Sequence, residues 1–145
     1  MSLNDPSSKM SKSNKLERSR ILITDSPEQI KAKIASALTD SLTGISYDTK
    51  ARPGISNLLD ILSIFDPEAR GPERLAMLFS DLSPRQLKDT VAEAVISGLK
   101  GIRERYTTLL DDRDNYLDNV AKLGARRASE SAEETMCLVR ESVGL

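Results

Sequence analysis

The chain has 145 residues, with 21 basic and 22 acidic side chains, one cysteine and no histidine or tryptophan. A near-neutral charge argues against a protein that coats nucleic acid by bulk electrostatics, and a lone thiol without histidine argues against an internal disulfide, a zinc site or an iron–sulfur site. At 39% hydrophobic and 3% aromatic residues, the chain can close one compact core of Leu, Ile, Val, Ala and Met, which favours packed helices. No apolar run approaches the roughly 18 residues of a membrane span and no hydrophobic signal core opens the chain, so a soluble intracellular protein is expected.

Residues 1 to 20 read as a flexible loop, because Ser, Lys and Asn dominate and no apolar residue recurs at a helical or strand period. Lys9, Lys12, Lys15, Arg18 and Arg20 outnumber Asp5 and Glu17 there, so this end can hold a polyanion. Ile21-Leu22-Ile23-Thr24 is β-branched enough for one short strand or an extended connector. A helix start follows: Ser26 as cap, Pro27 at the first helical position, Glu28 at the positive end of the dipole and Gln29 closing a capping box. Ile30, Ile34 and Leu38 then share one face, which predicts a helix over 26–38. Residues 40 to 52 read as a connecting loop.

Pro53 reopens a helix with Ile55, Leu58, Leu59, Leu62 and Phe65 as its apolar stripe, and Pro67 stops it. A short helix from Pro72 to about Ser80 offers Leu75, Leu78 and Phe79. Ser83-Pro84-Arg85-Gln86 repeats the capping arrangement, and Leu87, Val91, Val95, Ile102, Tyr106 and Leu109 trace a long face to about Leu110. A last helix is predicted from near Asp112 to about Ser142, breakable at Gly124, with Leu117, Ala121, Gly124, Ala128, Thr135 and Leu138 at its seam. Cys137, beside Met136 in that pattern, is expected to be a packed, inert thiol. The predicted fold class is all-α, a bundle of four or five helices preceded by a flexible loop and a short extended segment.

Lys9-Met10-Ser11-Lys12-Ser13 is the segment whose composition asks for a chemical explanation. Two ammonium groups interleaved with hydroxyls can meet several phosphate oxygens of one nucleotide, with backbone N–H groups completing the shell. A loop that closes only as charge develops on a pyrophosphate leaving group stabilises that charge most. On composition alone, a solvated Ser/Lys linker fits as well.

The order of these five residues resembles the second signature of class I aminoacyl-tRNA synthetases. The surrounding Met1-Ser2-Leu3, Asp5-Pro6, Thr39-Asp40-Ser41 and Arg52-Pro53-Gly54-Ile55-Ser56-Asn57-Leu58-Leu59 look like the tryptophanyl family of that class in its bacterial or mitochondrial form, and the likeness runs the length of the chain. The resemblance implies that Lys9, Met10, Ser11, Lys12 and Ser13 contact ATP phosphates during tryptophan activation, Lys9 and Lys12 as the catalytic lysines. It also implies that the helices after residue 20 are an anticodon-binding domain for tRNA(Trp), with residues 1–20 the end of a catalytic domain. Magnesium would then accompany ATP, with no metal bound by this chain. Two departures stand out. Asn14 occupies a position where the family often has an acidic residue, and the histidines of the family's first signature are missing. The expectation is therefore a fragment that is inactive alone, from a parent that dimerises through the absent nucleotide fold, in a bacterial cytoplasm or a mitochondrial matrix.

Lys100, Arg103 and Arg105, with Lys122, Arg126 and Arg127, could face an RNA backbone, but residues 100 to 145 carry nine carboxylates against eight basic groups, which equally fits a mixed-charge solvated surface. Tyr106 and Tyr116 could stack on unpaired bases, although helical spacing favours a buried or half-buried role. For Ser56 and Asn57, in the first turns of a helix, local backbone capping is the expected assignment. The alternatives are a tyrosyl enzyme of the same class and a non-catalytic helical interaction module with a passive Ser/Lys arm.

Overall fold

A computed structural model describes residues 1–111 and 115–144. Those residues form five α-helices and no strand: α1 (Pro27–Ala35), α2 (Pro53–Ile64), α3 (Pro72–Leu78), α4 (Pro84–Leu110) and α5 (Tyr116–Val143). A single 3-10 turn, Glu17–Ser19, interrupts the first loop. The predicted start of the last helix near Asp112 lies outside the described residues. The chain divides into two compact units, Met1–Arg103 and Glu104–Leu145, with the division inside α4.

Local chemistry sets the helix starts. Ser26 Oγ accepts from the Gln29 N–H while the Gln29 side chain accepts from the Ser26 N–H, and Ser83 and Gln86 repeat the exchange at α4. Each reciprocal pair satisfies donors that a helix start leaves free. Pro27, Pro53, Pro72 and Pro84 all open helices, where a missing N–H costs nothing. The α1 helix stops at Ala35, short of the predicted Leu38. Lys88 of α4 donates to the carbonyls of Ala35 (3.1 Å) and Ala37 (2.8 Å), so a cation sits at the helix's negative end. Burial pushes the Lys88 pKa below the ordinary lysine value. The chain then turns, Ala37 enters the core and Leu38 stays exposed.

The core lies in Met1–Arg103 and is organised around α2, which buries Gly54, Ile55, Ser56, Asn57, Leu58, Leu59 and Leu62. A helix covered on nearly every side is a central element, not a surface one. Around it sit Ile30 and Ile34 of α1, Leu75 and Ala76 of α3, Leu87, Val91, Ala92 and Val95 of α4, and the loop residues Leu3, Ala37 and Ile45. Gly54 is required by a close backbone approach, since a Cβ there would collide with the Leu38 carbonyl.

In Glu104–Leu145 every described residue is exposed. Several sequence expectations are corrected by this. Tyr106, Leu109, Tyr116, Leu117 and Leu138 are exposed rather than buried, as is Ile102 just before the division. Cys137 is exposed rather than enclosed. The last helix does continue as expected, through Gly124 to Val143. Apolar periodicity reports which residues share a face; it does not report whether another element covers that face.

Candidate functional site: the lysine loop and its stems

Residues 1 to 20 have no regular structure apart from the 3-10 turn, yet both ends of the loop are built into the core. Ser2, Leu3 and Ser19 are each 1% exposed. The Leu3 N–H donates to the Ser19 carbonyl (3.0 Å), closing the loop at its base, and the Leu3 carbonyl accepts from the Leu38 N–H (2.8 Å). The expected flexibility therefore does not extend to the stems. Buried backbone without a helix or strand must find partners elsewhere, and here it finds them in the opposite stem, in the turn after α1 and in a side chain of α2.

Between the stems, the chain turns at Ser11–Asn14, where the Asn14 N–H reaches the Ser11 carbonyl (3.3 Å) and the Ser11 and Ser13 hydroxyls share a hydrogen bond of 2.9 Å. Asn14 does local work: its Oδ1 accepts from the Leu16 N–H (2.9 Å) and its carbonyl accepts from Arg20 Nη1 (2.8 Å). Met10 is half-buried and packs against the core, which explains an apolar residue between two cations: it seats the turn. Lys9, Lys12 and Ser13 are exposed, and Ser11 is partly covered. Among the described residues neither Lys9 nor Lys12 has an ion-pair partner. The nearby carboxylate of Asp5 is engaged by the Ser7 hydroxyl (2.5 Å) and the Ser7 N–H (3.1 Å), and the Ser7 hydroxyl above all holds its pKa below the usual carboxylate range. Chemically, the loop carries two exposed ammonium groups and a pair of hydroxyls on an anchored base, a combination suited to phosphate oxygens.

The segments that carried the resemblance are neighbours in space. Arg52, 5% exposed, forks onto Asp40 through Nε (3.0 Å) and Nη2 (2.8 Å), and reaches the carbonyls of Gly44 (3.0 Å) and Leu42 (3.3 Å) and the Ser46 hydroxyl (3.1 Å). A buried guanidinium is tolerated only when its donors are matched in this way. The Arg52 hydrogen bonds are the leading cause that lowers the Asp40 pKa. Gly54 meets the backbone of Leu38 and Thr39. Asn57, 4% exposed, accepts from the Met1 amino nitrogen (3.0 Å) and donates to the carbonyls of Ser2 (3.2 Å) and Met1 (3.4 Å). Residues 1–3 thus meet both the turn after α1 and Asn57 of α2, while Leu38, Thr39 and Asp40 meet Gly54 and Arg52 at the start of that helix.

Ser56 and Asn57 are therefore not local caps. Ser56 Oγ accepts from the Asp48 N–H (3.0 Å) and so fixes the 40–52 loop, whereas Asn57 holds the first residues of the chain. Sequence reasoning missed Arg52, Asn57 and Lys88. The available signal was a carboxamide directly before Leu58 and Leu59 in a helix with an apolar stripe, a placement that requires a partner.

The six basic candidates for an RNA surface are divided between the units. Lys100 and Arg103 belong to Met1–Arg103, and Arg105, Lys122, Arg126 and Arg127 to Glu104–Leu145. Lys100, Arg105, Lys122, Arg126 and Arg127 are exposed and Arg103 is partly covered. At about 100° per residue, Lys122 and Arg126 share one face of α5 while Arg127 lies on a neighbouring one. Arg126 pairs with Glu130 (2.9 Å).

The family model described as tRNA synthetases class I (W and Y) matches residues 1–100. The chain belongs to that family. It is 37% identical to the tryptophan–tRNA ligase of Bacillus subtilis over 145 residues, covering all of this chain and 43% of the relative. It is 39% identical to that of Rickettsia conorii over 144 residues, covering 99% of this chain and 43% of the relative. Among solved structures, the tryptophanyl-tRNA synthetase of Campylobacter jejuni, in complex with ADP and tryptophan, superposes with a TM-score of 0.75 at 27% identity, over all of this chain and 44% of that one. The class I chain described here thus spans less than half the length of the tryptophan–tRNA ligases it resembles.

Proposed function

We propose that this chain is the C-terminal part of a tryptophan–tRNA ligase, in which Lys9–Ser13 engage the phosphates of ATP and the helices dock the anticodon stem-loop of tRNA(Trp). The observation that carries the reading is the pair of exposed lysines, without an ion-pair partner among the described residues, on a loop whose stems are held in the core. Lys12 and Lys9 supply the charge, Ser11 and Ser13 the hydroxyls, and Met10 seats the turn. In this reading residues 1–20 finish a catalytic domain and residues 21–145 are the anticodon-binding domain. ATP arrives in this reading as its magnesium complex, with no metal bound by this chain. The parent dimerises through its nucleotide fold and works in a bacterial cytoplasm or a mitochondrial matrix; among the described residues no helix is long and apolar enough to cross a membrane. The named relatives favour the tryptophan enzyme over the tyrosyl alternative that the same family includes.

In the longer polypeptide, Lys12→Ala is expected to slow ATP–pyrophosphate exchange about a hundredfold, the scale of losing one preorganised charge-stabilising donor, with tryptophan affinity unchanged. An unchanged exchange rate removes the role given to the loop. For the RNA half of the proposal, titration of this chain at fixed salt should show tighter binding of tRNA bearing the tryptophan anticodon than of the same tRNA with that anticodon altered. Equal affinities would favour a passive helical module, because the sequence-independent part of binding falls with salt alike for both.

A further inference from the structure

We propose that Asn57 is a positioning residue for the lysine loop: its carboxamide, carried on the central helix, fixes the stem from which Lys9 and Lys12 project. The inference rests on the ATP-phosphate reading of that loop. A carboxamide offers one accepting oxygen and two N–H donors, and both of its ends are engaged by Met1 and Ser2. From there the link to the lysines is short. The Ser2 N–H donates to the Ser8 carbonyl (2.8 Å), and Ser8 precedes Lys9 directly. A shift of the Asn57 side chain therefore displaces Ser2, the Ser2–Ser8 hydrogen bond and the residue bonded to Lys9.

The setting is unusual for a residue that merely fills space. Asn is a poor helix former, and apart from Ser56 the other buried side chains of α2 are apolar. The neighbouring Ser56 is equally buried, at 1% exposed, but binds a different segment through Asp48. This pair separates positioning from general stability, because the two side chains sit in the same turn of the same helix and only one of them reaches the loop.

The first test is amide hydrogen exchange by mass spectrometry on the 145-residue chain. Asn57→Ala is expected to accelerate exchange in residues 1–20 about tenfold or more, the effect of leaving buried backbone groups unpaired, while α4 keeps its protection. Ser56→Ala is expected to leave residues 1–20 within about twofold of the parent chain. Equal loosening of residues 1–20 and α4 in Asn57→Ala, or no change in residues 1–20, overturns the proposal. Asn57→Ser, neutral and smaller, is read by the same outcomes if the alanine form does not fold.

The second test is ATP–pyrophosphate exchange in the longer polypeptide, where Asn57→Ala is expected to raise the KM for ATP several-fold with the KM for tryptophan unchanged. If Lys12→Ala slows exchange and Asn57→Ala does not alter the KM for ATP, only the positioning role falls. If neither variant changes exchange, the ATP reading falls and takes this inference with it.

Discussion

The two units of this chain are built from similar helical patterns with opposite results. In Met1–Arg103, apolar residues at helical spacing are covered: Ile30, Ile34, Leu59, Leu87 and Val91 are all 0% exposed. In Glu104–Leu145, a comparable stripe through Leu117, Val120, Met136 and Val139 is 42% to 50% exposed. The difference teaches that amphipathic periodicity fixes how a helix could pack, while burial depends on elements brought to it from elsewhere in the chain. In the first unit those elements include irregular segments, above all residues 1–3 and 37–45, whose backbone polar groups are satisfied by the side chains of Arg52, Asn57 and Lys88 and by backbone partners.

The largest expected contrast comes from leucines. Leu59→Ala should destabilise the chain by about 2–5 kcal/mol through lost contacts and a residual cavity. Leu138→Ala, 65% exposed, should change stability by no more than about 0.5 kcal/mol. Urea unfolding midpoints measure both, and equal losses would break the distinction between the units. Glycines sharpen it further. At Gly54 a methyl group meets the backbone of Leu38 and Thr39, so Gly54→Ala should cost about 1–3 kcal/mol as overpacking. At Gly124 no atom lies within 4 Å of the added carbon, so Gly124→Ala should stabilise by up to about 1 kcal/mol through helix propensity. Thermal melts of the two variants should shift in opposite directions.

These contrasts also mark what was legible in the sequence. Helix starts were readable at Ser26–Gln29 and Ser83–Gln86 because a capping box is complete within four residues. The lysine loop was singled out by an order of charges and hydroxyls that is local too. Arg52 with Asp40 and Asn57 with Met1 and Ser2 were not, since their partners lie 12 and 55 to 56 positions away and nothing in the local pattern names them. The exposure of α5 was unreadable for the same reason: its stripe is as regular as that of α2.

A smaller effect distinguishes the first unit by acid. The Arg70 side-chain and backbone hydrogen bonds lower the Asp66 pKa from 3.8 to about 2. Its folded value lies below its unfolded one, so the contribution is present above 3.8 and is lost as pH falls through about 2. Asp66→Asn should therefore show a shallower loss of stability across that interval than the parent chain in urea titrations. Coincident pH profiles would mean that the Asp66–Arg70 pair does not hold the turn after α2.

The most direct test pairs one exposed lysine from each unit in the longer polypeptide. Pyrophosphate exchange should fall about a hundredfold in Lys12→Ala and stay within about twofold in Lys122→Ala, whose tRNA affinity should instead weaken with a salt slope reduced by about 1. Equal exchange rates for the two variants would contradict the assignment of ATP-phosphate contact to the anchored loop.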